Sequence, residues 1–412
     1  MKAFGTTLIA VFCGFVFSLP GASINFQTAV SLPSAGHSRF VAFGDLDADS
    51  IPEILSVGDN GIFSAIKRSG TGFTVLTNMQ FPGSLYSVQY VDRSEILVLA
   101  HDEERLYHLT VDSNMHFRVY SYFQTGIGPI ALTVASDASS LQILNSDNTI
   151  DSFTNGAANG QLPEYTKATN CVTGNAPSHM IRPAGNLLYV NSADNTLSLR
   201  RPNPRGAFGP PDNHVTGAFP IFVAAGDFNQ DGIMDYVTAN YSGASVSVFL
   251  GSAGSDLFLF KEYDVGSHPS SIAVADFDGD GHLDLAVVSA TDNSVLLMLG
   301  SGHGTFSSSV SMPVGPNSIW IGAANQRLPY CQSHLCYRIC RLIPGSRLSQ
   351  SCLPIGLAPG HSQLGKQVHR FAETRVLLHP GEGLFGRPLG CIGHQGHVRA
   401  IRDKLNDFFP SP

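Results

Sequence analysis

Asp276, Asp278, Asp280 and Asp284 stand at the first, third, fifth and ninth positions of the stretch DFDGDGHLD, with Gly281 at the sixth. Oxygen-bearing side chains at alternate positions can point inward together around a hard cation. The glycine supplies the tight turn, and the backbone carbonyl of the seventh residue, His282, can fill the remaining gap. Four carboxylates within nine residues repel one another unless a cation sits among them, so the chemistry these residues point to is calcium binding. An EF-hand loop needs a bidentate glutamate at position twelve and a helix on each side. Position twelve here is Val287, and the flanks are short β-branched runs of strand length. A solvated acidic turn explains a lone Asp-Gly pair, but not five matched positions between two strands.

The same pattern recurs. Asp227, Asn229, Asp231 and Asp235 keep the ladder, with Gly232 at the sixth position and the Ile233 carbonyl at the seventh. IFVAAG precedes this copy and YVTAN follows it. A looser copy has Asp45, Asp47, Asp49 and Glu53, with the Ile51 carbonyl at the seventh position, between RFVAFG and ILSVG. There Ser50 replaces the glycine and Glu53 the ninth-position aspartate. YSVQYVDRSEILVLA, IALTVASDASSLQILN and HMIRPAGNLLYVN keep the apolar run, turn and apolar run without the carboxylates. These units are expected to close their hairpins with ordinary turns.

The elements that must position the loops follow from the repeat. Units start near Asp45, Asp92, Ser136, Gly185, Asp227, Asp276 and Ala324, at intervals of 47, 44, 49, 42, 49 and 48 residues. A period in the mid-forties with about four short strands per unit is the signature of a β-propeller blade. Ahead of several hairpins comes an aromatic residue, a valine and a Gly or Pro turn, as in FKEYDVGSHPSS from Phe260 and FSSSVSMPVGPNS from Phe306. These stretches read as the outer strand of one blade and its crossover to the next. The expectation is an all-β, seven-bladed propeller over residues 24–325 with its seventh blade incomplete.

The phrase AVADFDGDGHLDLAVVS, with its glycine and Gly-x-x-Pro punctuation, resembles the FG-GAP or VCBS repeat. That repeat is the unit of the calcium-binding seven-bladed propeller of integrin α subunits and of many secreted proteins. The resemblance covers residues 206–325 and 24–75 and rests mainly on spacing from 80 to 200. It implies that the cation sits in the hairpin loop at the rim of a blade, held by the ladder residues of the three copies. It also implies a partner-binding role for loops on one face of the ring.

Composition agrees with a large globular core: 43% of the 412 residues are hydrophobic and only 14% charged. The net charge of −8 hides an asymmetry. Residues 1–325 carry 13 Lys+Arg against 28 Asp+Glu, whereas residues 326–412 carry 11 against 4. An acidic body gives no electrostatic reason to expect nucleic-acid binding. Lys2, the apolar run Leu8–Phe17 and the small residues Gly21, Ala22 and Ser23 read as an export signal over residues 1–23. The run is too short to cross a bilayer comfortably. The expected location is therefore extracellular, where calcium is plentiful.

The seventh unit begins with VGPNSIWIGAAN and then stops repeating. From Gln326 the chain turns rich in arginine and histidine and holds five of the seven cysteines, at 331, 336, 340, 352 and 391. A composition break where the repeat demands more repeat marks residues 326–412 as an irregular tail foreign to the fold, introduced by a frameshift, a mis-assigned exon or a fusion. Cys331, Cys336 and Cys340 lack the Cys-x-x-Cys pairing of common zinc sites. A disulfide cluster suits a secreted chain, with connectivity unreadable from sequence.

No Gly-x-Ser-x-Gly, His-Glu-x-x-His, phosphate-loop or dinucleotide motif occurs. Three functional classes stay open: a calcium-stabilised scaffold that binds a protein or cell-surface partner, a lectin-like propeller that binds glycans, and a module of a secreted hydrolase or lyase. Recurrent aromatic platforms between blades would favour the second, and a carboxylate pair in the central channel the third.

Overall fold

The computed structural model describes residues 38–326 except 70–71, 157–163, 204–206, 254–256 and 315–319. It also gives the backbone of strands Leu8–Phe15, Asn25–Phe26, Val30–Pro33 and Cys336–Leu342. The rest of the expected irregular tail lies outside the described residues. Six four-stranded antiparallel sheets follow one another in sequence order. Their innermost strands are Ser38–Gly44, Leu85–Asp92, Pro129–Val134, Pro177–Ile181, Pro220–Gly226 and Pro269–Ala275. Neighbouring inner strands pack on one another around a channel, and the chain is a β-propeller.

The blades form because their second strands are apolar on both faces. Glu53–Gly58, Glu95–Ala100, Asp235–Asn240 and Asp284–Ser289 are buried at every position. The two-residue period of a strand sends alternate side chains to opposite neighbours. Ile96 and Val98 pack with Leu55 and Phe63 of blade one, whereas Leu97 and Leu99 pack with Leu132 and Ile143 of blade three. The same division recurs between blades five and six, where Val237 and Val248 meet Leu285 and Met298. Each fully buried aliphatic side chain contributes roughly 1.5–3 kcal/mol. A register slip by one residue would exchange the two faces and misfit both interfaces.

Every inner strand carries a bulge at its second residue: Arg39, Tyr86, Ile130, Ser178, Ile221 and Ser270. These six residues all line the channel. In four blades the residue before the bulge is proline, which has no N–H to donate and suits the first position of a strand.

The structure holds six four-stranded blades where the sequence repeat suggests seven. After Ala324 the sequence lacks the acidic turn of loops five and six, and Ile321–Gln326 lies beside Cys336–Leu342 in place of a further four-stranded blade. Strand Ile321–Gln326 nevertheless packs against the inner strands of blades six and one. Ser271 Oγ donates to the Ile321 carbonyl at 3.3 Å and accepts from the Ile321 N–H at 3.2 Å. The Trp320 ring lies 5.0 Å from that of Phe40 in blade one. Ile321–Gln326 belongs to a five-stranded sheet whose other strands are Leu8–Phe15, Asn25–Phe26, Val30–Pro33 and Cys336–Leu342. Leu8–Phe15, inside the expected export signal, is thus a strand paired with Val30–Pro33 and Cys336–Leu342. Among the described residues no helix is long and apolar enough to cross a membrane.

Candidate metal centre

The three acidic loops occupy one place in the fold, between the first and second strands of blades one, five and six. Their backbones match. The fourth and sixth residues are left-handed in each: Ala48 and Ser50 (φ 66° and 67°), Gln230 and Gly232 (60° and 81°), Gly279 and Gly281 (77° and 89°). Loop six meets this demand with two glycines and loop five with one. Loop one does so with two residues that carry a Cβ, at a cost of roughly 1–2 kcal/mol each.

The ninth-position acid anchors each loop to its blade. Asp284 is fully buried and accepts the Phe277 N–H at 2.7 Å and the Gly300 N–H at 2.8 Å. Asp235 does the same with Phe228 at 2.8 Å and Gly251 at 2.9 Å. Glu53 accepts from Leu46 at 2.7 Å, but its Oε1 is buried without a hydrogen-bond partner. The extra methylene displaces this carboxylate from the second amide. One side chain therefore joins the loop's second residue to the end of the third strand in blades five and six, and only half of that link survives in blade one.

In loop six, carboxylate oxygens of Asp276, Asp278 and Asp284 lie within 4.8 Å of one another. Asp276 accepts the N–H groups of Gly279 at 2.6 Å and Gly281 at 3.0 Å, which hold its carboxylate in the loop. Asp278 accepts the Asp280 N–H at 3.1 Å. Asp280 turns toward the loop's exit, accepting the His282 N–H at 2.8 Å, with His282 Nδ1 at 3.1 Å. Burial pushes the Asp284 carboxyl up to about 7 against the pull of the Gly300 and Phe277 amides, and the charges of Asp278 and Asp276 add to the rise. Burial also raises Asp276 and Asp278. Carboxylates held this close and partly desolvated favour a bound cation over three free charges.

Loop five keeps the same kind of amide contacts, but among the described residues its acids Asp227, Asp231 and Asp235 do not meet within 4.8 Å as those of loop six do. Asp227 accepts the N–H groups of Asp231 at 3.1 Å and Gly232 at 2.9 Å, Asn229 accepts from Asp231 at 3.1 Å, and Asp231 accepts from Ile233 at 2.8 Å. Burial raises Asp235. Loop one brings Asp45, Asp47 and Glu53 together, again within 4.8 Å. There Lys67 donates to Asp47 and, at 3.0 Å, to Asp49, and Arg93 Nη2 lies 3.8 Å from Asp45. Burial lifts Glu53 to about 7, with the Leu46 amide opposing and Asp47 adding to the rise. Lys67 and Arg93 lie outside the nine residues of the loop, so its spacing gives no sign of them.

The channel is a second concave site, a cavity of about 780 Å³ lined by the inner strands. Arg39, Tyr86, His179 and Arg182 are its titratable lining residues. The Arg39 guanidinium lies 3.7 Å over the Tyr86 ring, which stacks on His101 at 4.0 Å. Desolvation between the inner strands lowers His179 to about 4, although the residue is only half-buried, and its ring stacks on Phe222 at 4.0 Å. The imidazole is therefore neutral at physiological pH.

No curated protein matches the sequence. Solved structures share the fold at low identity. A protein from Lactobacillus plantarum superposes with a TM-score of 0.58 at 14% identity, covering 76% of this chain and 98% of its own. A candidate 6-phosphogluconolactonase from Bacteroides fragilis gives 0.57 at 12% identity, covering 78% and 98%. A functionally unknown protein from Desulfotomaculum acetoxidans gives 0.52 at 14%, covering 63% and 80%. The FG-GAP-like repeat family matches residues 227–287 and 276–325, the span that holds loops five and six. These residues are FG-GAP-like repeats, and the chain that carries them is a β-propeller.

Proposed function

We propose that the protein is a secreted, calcium-braced propeller related to the integrin-α and VCBS-type rings, in which Ile321–Gln326 takes the seventh blade's inner position. It serves as a non-catalytic scaffold for an extracellular protein or cell-surface partner. The observation that carries the calcium reading is the meeting of Asp276, Asp278 and Asp284 oxygens within 4.8 Å, on a loop whose glycines relieve the left-handed turns. Asp280 and the His282 carbonyl complete the expected donor set in loop six; Asp227, Asn229, Asp231, Asp235 and the Ile233 carbonyl form it in loop five. Calcium there neutralises the carboxylates and stabilises the hairpin by linkage, since the unfolded chain has no such cage.

Among the described residues the channel's titratable lining includes no carboxylate, so no carboxylate pair there favours the hydrolase or lyase alternative over the scaffold. Trp320 is the chain's single tryptophan and packs against Phe40, so it offers no repeated sugar platform.

Metal analysis of the purified protein with calcium titration tests the central point. Bound calcium, and a melting temperature that falls in EDTA, are the expected results; a metal-free protein indifferent to calcium would defeat the reading. Binding to intact cells against a glycan array separates a protein partner from a glycan. N-terminal sequencing tests export: a mature chain that begins near Ile24 fits it, and one that retains Leu8–Phe15 does not.

A further inference from the structure

Lys67 lies on the third strand of blade one, Ile62–Ser69. The strand registers pair Ile54 with Ile66, Tyr236 with Phe249 and Leu285 with Met298. Each first-named residue directly follows the ninth-position acid, so Lys67, Leu250 and Leu299 occupy equivalent positions opposite Glu53, Asp235 and Asp284. Blades five and six place an apolar side chain there. Blade one alone of the three places an ammonium group, and it donates to Asp47 and Asp49, the third and fifth members of the ladder. Among the described residues no lysine or arginine pairs with the carboxylates of loops five and six.

We infer that loop one carries its own cation: the Lys67 ammonium takes the place that loops five and six leave to a metal ion, so that blade one keeps the rim loop without calcium. The contrast with loops five and six rests on the calcium reading of those loops. The claim about Lys67 itself rests on its contacts alone. An ammonium has three donors and binds carboxylate oxygens as a compact point charge. With Asp47 and Asp49 engaged, a divalent ion would have to displace the ammonium and then bear its positive charge at close range. The other departures of loop one follow the same logic. The turn is built with Ser50 where the metal loops have glycine, and Glu53 gives up the second amide that Asp235 and Asp284 hold. A loop fastened by a side chain of its own blade tolerates this irregularity, whereas a coordination shell needs its oxygens placed more strictly.

The test compares calcium-dependent melting and calcium stoichiometry in a background that disables the other loops, Asp227→Asn/Asp276→Asn. With Lys67 in place, this background is expected to bind no calcium and to melt at the same temperature in EDTA and in millimolar calcium. Adding Lys67→Leu, the residue type of the two equivalent positions, is expected to lower the melting temperature in EDTA, to restore it in calcium and to add one bound ion per chain. Calcium binding by the background with Lys67 present would overturn the inference. So would a Lys67→Leu chain that is unaffected in EDTA, or one that loses stability without regaining it in calcium. If Lys67→Leu does not fold, Leu299→Lys in the otherwise native chain reads the same point from the other side. One bound ion fewer is expected, and an unchanged stoichiometry would overturn the inference. A native chain that binds no calcium refutes the metal reading of loops five and six and leaves the Lys67→Leu comparison readable.

Discussion

Gln230 Nε2 donates a 2.9 Å hydrogen bond to the carbonyl oxygen of Gly281, so the fourth residue of loop five is tied to the sixth residue of loop six. Gln230 is itself left-handed, at φ 60°, and its side chain reaches the glycine that shapes the neighbouring turn. The two rim loops are therefore not independent, although each is closed by its own ninth-position aspartate.

That link gives the first prediction. An exposed neutral hydrogen bond contributes about 0.5–1.5 kcal/mol net, so Gln230→Ala should weaken calcium binding by about two- to tenfold. The metal-free protein should lose little stability, because the bond joins loops and not core strands. Calorimetric calcium titration of both proteins checks this. Equal affinities would show that the loops bind without reference to each other.

Gly300 ends the third strand of blade six, and its N–H bonds to Asp284 at 2.8 Å. A Cβ there would stand 2.1 Å from the carbonyl oxygen of Leu283. That oxygen is backbone and cannot swing away, so Gly300→Ala must displace the strand end or the loop exit. We expect a loss of about 1–3 kcal/mol, the usual cost of overpacking, together with weaker calcium binding at loop six. Thermal melting in EDTA and in calcium separates the two effects. Gly232→Ala is the informative control, since a Cβ there meets nothing within 4 Å and the strain is that of its φ alone.

Glu95 and His108 are buried together in blade two, with His108 Nε2 3.7 Å from Glu95 Oε2. Burial, with Asp92 adding to it, raises the Glu95 carboxyl from 4.5 to about 7. A carboxyl with a raised pKa holds its proton in the folded state after the unfolded chain has lost it. Its contribution is therefore fully present below pH 4.5 and is lost as pH rises toward 7. His108 works in the opposite sense, because burial lowers its pKa and its contribution is lost as pH falls below about 6.5. Glu95→Gln should remove the first slope and leave the second. Stability of the variant between pH 4.5 and 7 should then rise with pH more steeply than that of the native chain, and denaturant midpoints across this window check it.

Much of this was visible in the residues. The expected starts at Asp45, Asp92, Asp227 and Asp276 fall at the ends of inner strands, because the apolar run that forces a strand and the polar turn that ends it are both local. The ladder of carboxylates was also local, so the close approach of Asp276, Asp278 and Asp284 could be read from spacing. Lys67 could not be read that way. Its meaning depends on the pairing of Ile54 with Ile66, which places it opposite Glu53, and only a register comparison with Leu250 and Leu299 exposes the exchange. The five-stranded sheet that takes in Ile321–Gln326 was not legible for a related reason: a period shows where a unit begins, and strands separated by most of the chain, such as Leu8–Phe15 and Cys336–Leu342, leave no periodic trace.

Trp320 joins the two ends of the blade series and is the chain's single tryptophan. Its ring packs on Phe40 of blade one and also touches the apolar layer between blades five and six. If Ile321–Gln326 closes the ring, the environment of Trp320 changes when the ring opens, and its fluorescence reports that event directly. We expect the fluorescence transition to coincide with loss of sheet signal by circular dichroism, because neighbouring blades share buried faces and do not unfold singly. Trp320→Ala should cost on the order of 2–4 kcal/mol, somewhat below the range for a fully buried aromatic, since the ring is only partly enclosed. Trp320→Phe should recover most of that loss by restoring an aromatic face against Phe40. A fluorescence transition well below the circular dichroism transition would instead show that the closing strand detaches first and that the six blades stand without it.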